Sequence, residues 1–360
     1  MNAQQKISRG QLGALLILSG AFRLLAQNRG GAPAGLEAVF LPLAAAGIQL
    51  LFVTVALFLL RSREGEGLAD RICRYGGCLP GGLLCWLLGG WLLLAAADTA
   101  AQASFFLTSA VFPQAPALFF VLTMVLAGAY ALRKGLEGLC RTAALVGAIA
   151  TLAMGVIFLA SAEHFQPAYL SFAGVSAGSF LGQAFSEAVR SPEPVLFLLF
   201  CGRVKGKGFG SAVLWVTVSG GIFSGAALLL WGVLGRTAGG QLFPFFTLTA
   251  IAELSVFRRM DAIYMGLWIL IGLLRITALM LGAQYCIGKT LPANRESALC
   301  ILMAGSVFAG GALLAGRREW LLGLEGFFRQ GWGVVFVCLI LPVIFLISGK
   351  RKGKRRIADE

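Results

Sequence analysis

Apolar residues run along this chain in long continuous stretches rather than in alternation. Ten such stretches stand out, at about 11–26, 37–60, 80–108, 116–132, 140–161, 168–202, 210–235, 260–288, 297–315 and 331–348. Most approach or exceed the roughly 20 residues that a helix needs to cross the hydrocarbon core of a bilayer. Lipid offers no hydrogen bonds, so a spanning backbone must satisfy itself as helices or as a closed barrel. Barrel strands alternate apolar and polar positions, and these runs do not. The pattern predicts an all-α polytopic membrane protein with ten transmembrane helices. It places one transmembrane domain at 1–348 and a basic tail at 349–360.

Two of the runs are interrupted. The first, "QLGALLILSGAF", stops at Arg23. The sixth opens as "SFAGVSAGSFLGQAFSEAV", is cut by "RSPEP" at 190–194 and resumes as "VLFLLF". Each proline removes a backbone donor and disfavours helix at the residue before it. The two runs open halves of about 1–165 and 166–348. Broken helices 1 and 6 at matching positions fit a five-plus-five inverted repeat, with a binding site near the midplane. Alternatively, the Gly and Ser residues there serve only close helix packing. The pattern alone leaves both open.

Composition removes the soluble alternative. The chain is 58% hydrophobic and 13% charged, against about 45–50% and 25% in soluble domains. The net charge of +14 raises nucleic acid as a partner. Its distribution argues against one, because the basic residues collect in short connections and in the tail "GKRKGKRR". With ten spans, most of them share a side with both termini, which predicts cytoplasmic N and C termini. The tail is also placed to touch anionic lipid. The polar start "MNAQQKISRG" and the lack of a small-residue cleavage site predict no cleavable signal peptide. Cys73 and Cys78 lack the second pair that a zinc site needs, and the other cysteines read as packing residues. No P-loop, nucleophile elbow or metalloprotease pattern occurs, so neither an enzyme nor a cofactor is expected.

Charges inside the runs need a reason, since each costs about 2.5–3.5 kcal/mol at a span centre on insertion scales. Asp98 lies within the third run, with Gln102 one turn later on the same face. In the eighth run Asp261, Tyr264, Trp268, Gly272 and Arg275 recur at spacings of three or four and share one helical face. Ile263, Leu270, Leu273 and Leu281 lie toward the other side. Arg258 stands three residues before Asp261, at ion-pair spacing. Arg275 either pairs with a carboxylate from another helix or snorkels to the interface. Arg23 either faces Asp98 or an anionic ligand group, or snorkels in the same way. His164, in "SAEHFQP", reads as a loop residue.

The eighth run, "FRRMDAIYMGLWILIGLLRITALMLGAQY", resembles the eighth helix of the spore germination permeases, the membrane B subunits of bacterial nutrient germinant receptors. Their motif runs Phe-Leu-Glu-Arg-hydrophobic-Glu, followed by a tryptophan and a later basic residue. Val256 and Phe257 fill its apolar places, and Arg259, Asp261, Trp268 and Arg275 resemble the rest. Arg258 replaces its first Glu, and Asp261 its second. "KISRGQLGALLIL" is similar to the family's start. "AYALRKGLEGLCRTAALV" resembles its Gly-Leu-Glu…Arg segment, with Gly135, Glu137 and Arg141 in place. Glu137 and Arg141 also have helical ion-pair spacing.

This resemblance implies the LeuT-like fold of the amino acid–polyamine–organocation transporters, in which unwound parts of helices 1 and 6 cradle a ligand lined by helices 3 and 8. Half-helix ends there offer free donors to a carboxylate and free carbonyls to an ammonium. The expected ligand is a small nutrient such as an amino acid. Ser19, Gly20 and Phe22 would bind it from helix 1, Asp98 and Gln102 from helix 3, Ser176, Gly178 and Ser179 from helix 6, and Tyr264 and Trp268 as aromatic walls. Structural ion pairs would involve Glu137, Arg141, Arg258, Asp261 and Arg275. The implied partners are a larger membrane A subunit and a lipoprotein C subunit, in the inner membrane of the spore. A cation-coupled amino acid transporter is the alternative, and a ligand-free scaffold for the other subunits a third reading.

Overall fold

The computed structural model describes residues 7–25, 34–59, 66–172, 174–205, 208–252, 261–292 and 296–344. Arg258, the apolar motif residues before it and the basic tail lie outside these. The described residues are helical almost throughout, with two isolated β-bridges. Seven stretches are long and apolar enough to cross a membrane among the described residues: Gly35–Leu59, Leu79–Val111, Gly135–His164, Gly208–Gly240, Asp261–Ile287, Ser297–Ala315 and Glu319–Ile344. A shorter apolar helix covers Ala117–Leu132. The chain is therefore an integral membrane protein. The two remaining expected spans, the first and the sixth, are the short and the divided one.

In chain order, α1 is Arg9–Leu25, α2 Gly35–Leu59, α3 Leu68–Gly76, α4 Cys78–Phe106 and α5 Ala117–Leu132. Then follow α6 Gly135–Ser161, α7 Ala177–Val189, α8 Glu193–Phe200, α9 Gly208–Leu234 and α10 Pro244–Ile251. The chain continues as α11 Asp261–Ile287, α12 Glu296–Ala315, α13 Arg318–Gln330 and α14 Trp332–Val335. α4 runs into a π-helical turn at Leu107–Val111, and α14 into another at Phe336–Ile340.

α1 packs against α6, α9 and α11, and α11 in turn against α1, α4, α5 and α6. α4 packs on α11 and α12, and α2 on α9 and α7. The first turn of α2 shows how closely the chain folds back. Gly35 has φ +60°, and a Cβ there would sit 2.1 Å from the Ser171 carbonyl oxygen, so only glycine fits.

The sixth run divides where its prolines predict. Ser176 caps α7, its Oγ accepting from the Ser179 N–H at 3.3 Å. Pro192 has no N–H to give the Ala188 carbonyl, and Gln49 Nε2 of α2 donates to that oxygen instead, at 3.3 Å. α8 then restarts with Pro194 in its first turn, where a missing N–H costs nothing. Helix 1 corrects the expectation. α1 runs unbroken from Arg9 to Leu25 through Ser19, Gly20 and Phe22. Gly20 serves close packing: a Cβ there would lie 3.2 Å from the Phe223 ring.

Candidate functional site

Two charged groups meet in the protein interior. Glu193, the first residue of α8, is 1% exposed, and Arg275 of α11 is 4% exposed. Arg275 Nη1 donates to Glu193 Oε1 in a close ion pair, and also to the Ser19 carbonyl oxygen of α1. Arg275 Nε donates to Thr99 Oγ1 of α4 at 3.2 Å, while the Thr99 hydroxyl donates to the Ala95 carbonyl. Ser19 Oγ donates to Glu193 Oε1 at 2.7 Å, and Ser191 Oγ donates to Glu193 Oε2. No buried atom of Glu193 or Arg275 lacks a hydrogen bond. Burying two charges is tolerable only on that condition. The Glu193–Arg275 pair thus ties α1, α4, α8 and α11 together at the helix break.

Arg23, one turn beyond Ser19 on α1, extends the cluster. Its Nη2 donates to Ser191 Oγ at 2.8 Å and lies 3.9 Å from Glu193 Oε2, and its Nη1 lies 3.9 Å from Glu187 Oε1. Arg190 closes the set through an ion pair with Glu187 at 2.8 Å.

Two hollows adjoin this cluster. The larger, about 290 Å³, lies among α1, α2, α7 and α9, with Gly20, Arg23, Gln49 and Glu193 in its wall. The smaller, about 30 Å³, has Asp98, Gln102, Arg23 and Arg275 in its wall and suits a water molecule.

The sequence-derived residues distribute unevenly around these hollows. Ser19 is in the network, and Gly20 lines the larger hollow. Asp98 and Gln102 line the smaller one and bond to each other, Gln102 Nε2 donating to Asp98 Oδ2 at 2.6 Å. Phe22, Tyr264 and Trp268 are buried in an aromatic cluster that fills the space between α1, α4 and α11. Phe22 stacks on Trp268 at 4.8 Å, Phe106 sits 4.4 Å from Trp268, and Tyr264 meets Phe106 at 6.3 Å. Ser176, Gly178 and Ser179 stand at the far end of α7, roughly 20 Å along the helix from the break at 1.5 Å per residue. Glu137 and Arg141 form an ion pair at the start of α6. Arg275 forms one with Glu193, and Asp261 begins α11.

Glu193 escaped the sequence reading because it sits between two prolines in what reads as a loop. Its signal was the run behind it: every residue from Ser191 to Cys201 is buried. A glutamate that opens such a half-helix must find a partner. Thr99 and Ser191 carry no sequence signal of their own.

Comparison with known proteins fits this arrangement. Solved structures that resemble the chain include the crystal structure of MhsT in complex with L-phenylalanine, at a TM-score of 0.50 and 15% identity, covering 96% of this chain and 98% of that one. The two share a LeuT-like fold. Among curated proteins no significant match is found. A family model described as spore germination protein matches residues 42–309, which contain α4, α8 and α11 and so most of the network. This chain belongs to the spore germination protein family.

Proposed function

We propose that the chain is the membrane subunit of a spore nutrient germinant receptor, which binds a small nutrient and passes a change of shape to partner subunits. The observation that supports this reading best is the buried network around Glu193. It holds four helices in one arrangement through charge-assisted hydrogen bonds, beside a hollow of small-molecule size. A ligand in that hollow meets Arg23 and Glu193, the same groups that fix the helix break. Binding and helix position therefore draw on shared contacts, which is what a ligand needs to shift a conformational equilibrium.

MhsT is captured with L-phenylalanine, and an amino acid or a nutrient of similar size is the ligand proposed for this chain. The site needs no bond chemistry, only recognition and movement. The family implies a larger membrane A subunit and a lipoprotein C subunit as partners in the spore inner membrane. The concentration of basic residues in the connections supports cytoplasmic N and C termini. The halves about 1–165 and 166–348 would be the two repeats, although only the second has a broken opening helix.

Deletion of the gene in the source organism tests this. Spore germination, followed as loss of optical density against amino acids, sugars and ions, should fail for one nutrient class only. An unchanged response, with uptake of labelled amino acid by proteoliposomes, would instead favour transport, since one fold serves both.

A further inference from the structure

Two thiols stand together where α3 crosses the first turns of α4. Cys73 of α3 and Cys85 of α4 hold their sulfurs 3.8 Å apart. Cys73 is half-buried and Cys85 is fully buried. Two glycines let the helices approach this closely. A Cβ on Gly76 would lie 2.8 Å from the Gly81 Cα, and one on Gly81 would lie 2.9 Å from the Ile72 carbonyl oxygen and 3.2 Å from the Cys73 Cα. A disulfide needs about 2.05 Å between its sulfurs. The gap left to close is within the sweep of a cysteine side-chain rotation.

The surroundings give the pair both access and consequence. Arg74 pairs with Glu66, and Asp70 pairs with Lys289 at 2.6 Å, all four side chains being partly exposed. These charges mark an aqueous edge beside Cys73, from which a small water-borne oxidant reaches it. α3 also bears on the outer ends of two helices of the buried network. A Cβ on Gly67, the residue before α3, would lie 2.5 Å from the Leu199 carbonyl oxygen of α8, and one on Gly202, just past α8, would lie 2.6 Å from the Glu66 carbonyl carbon. Lys289, the partner of Asp70, follows directly on α11. α3 is thus wedged against the end of α8 opposite Glu193 and clasped to the end of α11 beyond Arg275.

We propose that Cys73 and Cys85 are an oxidation site, a thiol pair that hydrogen peroxide closes to a disulfide. The Cys73 sulfur, as thiolate, attacks one peroxide oxygen. The O–O bond breaks, the leaving hydroxide takes up the proton that the thiol released, and a water departs, with Cys73 left as a sulfenic acid. The Cys85 sulfur then attacks the Cys73 sulfur. The S–O bond breaks, and its hydroxide leaves as a second water with the Cys85 proton. The two thiols together lose two electrons and two protons, and one peroxide gains them. The new bond joins α3 to α4 and so fixes the wedge against α8 and α11. The site stands apart from the receptor reading, and its chemistry is tested without it.

The test uses the full-length chain purified in detergent micelles. After treatment with hydrogen peroxide the protein is denatured, its free thiols are counted with Ellman's reagent, and its disulfides are mapped by mass spectrometry of peptides. The count should fall by two from the eight cysteines of the chain. The mapped bond should join Cys73 to Cys85, and dithiothreitol should restore both thiols. Cys73→Ala and Cys85→Ala should each form no disulfide. If Cys85→Ala, at the buried position, fails to fold, Cys73→Ala decides. Cys140→Ala, away from the pair on α6, should still form the bond. The oxidised protein should melt roughly 2–5 °C above the reduced one, and Cys73→Ala should show no such rise. A bond between any other two cysteines, a Cys73 carried on to sulfinic acid beside a free Cys85, or a full thiol count after treatment would overturn the site. The expected bond without a rise in melting temperature would overturn the fixing of α3.

Discussion

Glu193 and Arg275, 82 positions apart in sequence, meet as a buried ion pair between the half-helix α8 and the long helix α11. Both charges are kept from water and from lipid; Glu193 is held further by Ser19 and Ser191, and Arg275 by Ser19 of α1 and Thr99 of α4. Such a pair is weak evidence for net stability, because desolvation offsets much of the attraction. Its consequence is specificity: one helix arrangement satisfies every hydrogen bond, and any displacement of α8 leaves a buried charge exposed to an apolar interior.

Removing one partner should therefore be costly. Arg275→Ala or Glu193→Ala should destabilise the protein by about 3–5 kcal/mol. The combined variant Glu193→Leu with Arg275→Met should recover most of that loss, since no lone charge remains. Denaturation of the four proteins in detergent gives the coupling directly. Strict additivity of the two single losses would show that the pair is not a unit.

The pair at Glu137 and Arg141 should behave differently. Arg141 is 69% exposed, so solvent screens the contact. Arg141→Ala should change stability by no more than about 0.5 kcal/mol. A loss above about 2 kcal/mol would mean that this family motif carries structural weight that its exposure does not suggest.

Close approach of α11 to α1 depends on Gly272. A Cβ there would lie 3.0 Å from the Phe22 ring and 3.2 Å from Met124. Gly272→Val should push Phe22 off Trp268 and cost about 1–3 kcal/mol by overpacking. Trp268→Ala should cost about 3–5 kcal/mol, as expected for a packed core aromatic rather than a movable pocket wall. Thermal unfolding monitored by tryptophan fluorescence reads Gly272→Val, and circular dichroism reads Trp268→Ala. If both variants melt like the parent, the aromatic cluster is looser than its geometry indicates.

The helix-8 seam was legible because helical spacing puts Tyr264, Trp268, Gly272 and Arg275 on one face, and all four are buried while Ile263 and Leu270 are exposed. Leu281 breaks the pattern. From Leu274 to Ala283 the helix is buried on every side, where α4, α5 and α8 pack against it. The break at 190–194 was legible from its prolines. The site residues on helix 6 were sought among small residues at its start, yet the groups that converge lie at the break, supplied by Ser191 and Glu193. Periodicity reports which face of a helix is buried, but not which helix will meet it. For that reason the partner of Arg275 and the position of the hollow behind α1 emerged only from the packed structure.

If the Glu193 network connects ligand binding to the receptor's response, removing its charge should silence that response. Spores carrying Glu193→Gln test it most directly, since glutamine keeps the side-chain shape and most hydrogen bonds but removes the charge that holds Arg275 and Arg23. Germination is measured by loss of optical density on the nutrients that the deletion strain fails to detect, with the amount of the subunit in spore membranes quantified alongside. Loss of the response at a parental level of protein is the predicted result. Parental germination rates on those nutrients would contradict the account.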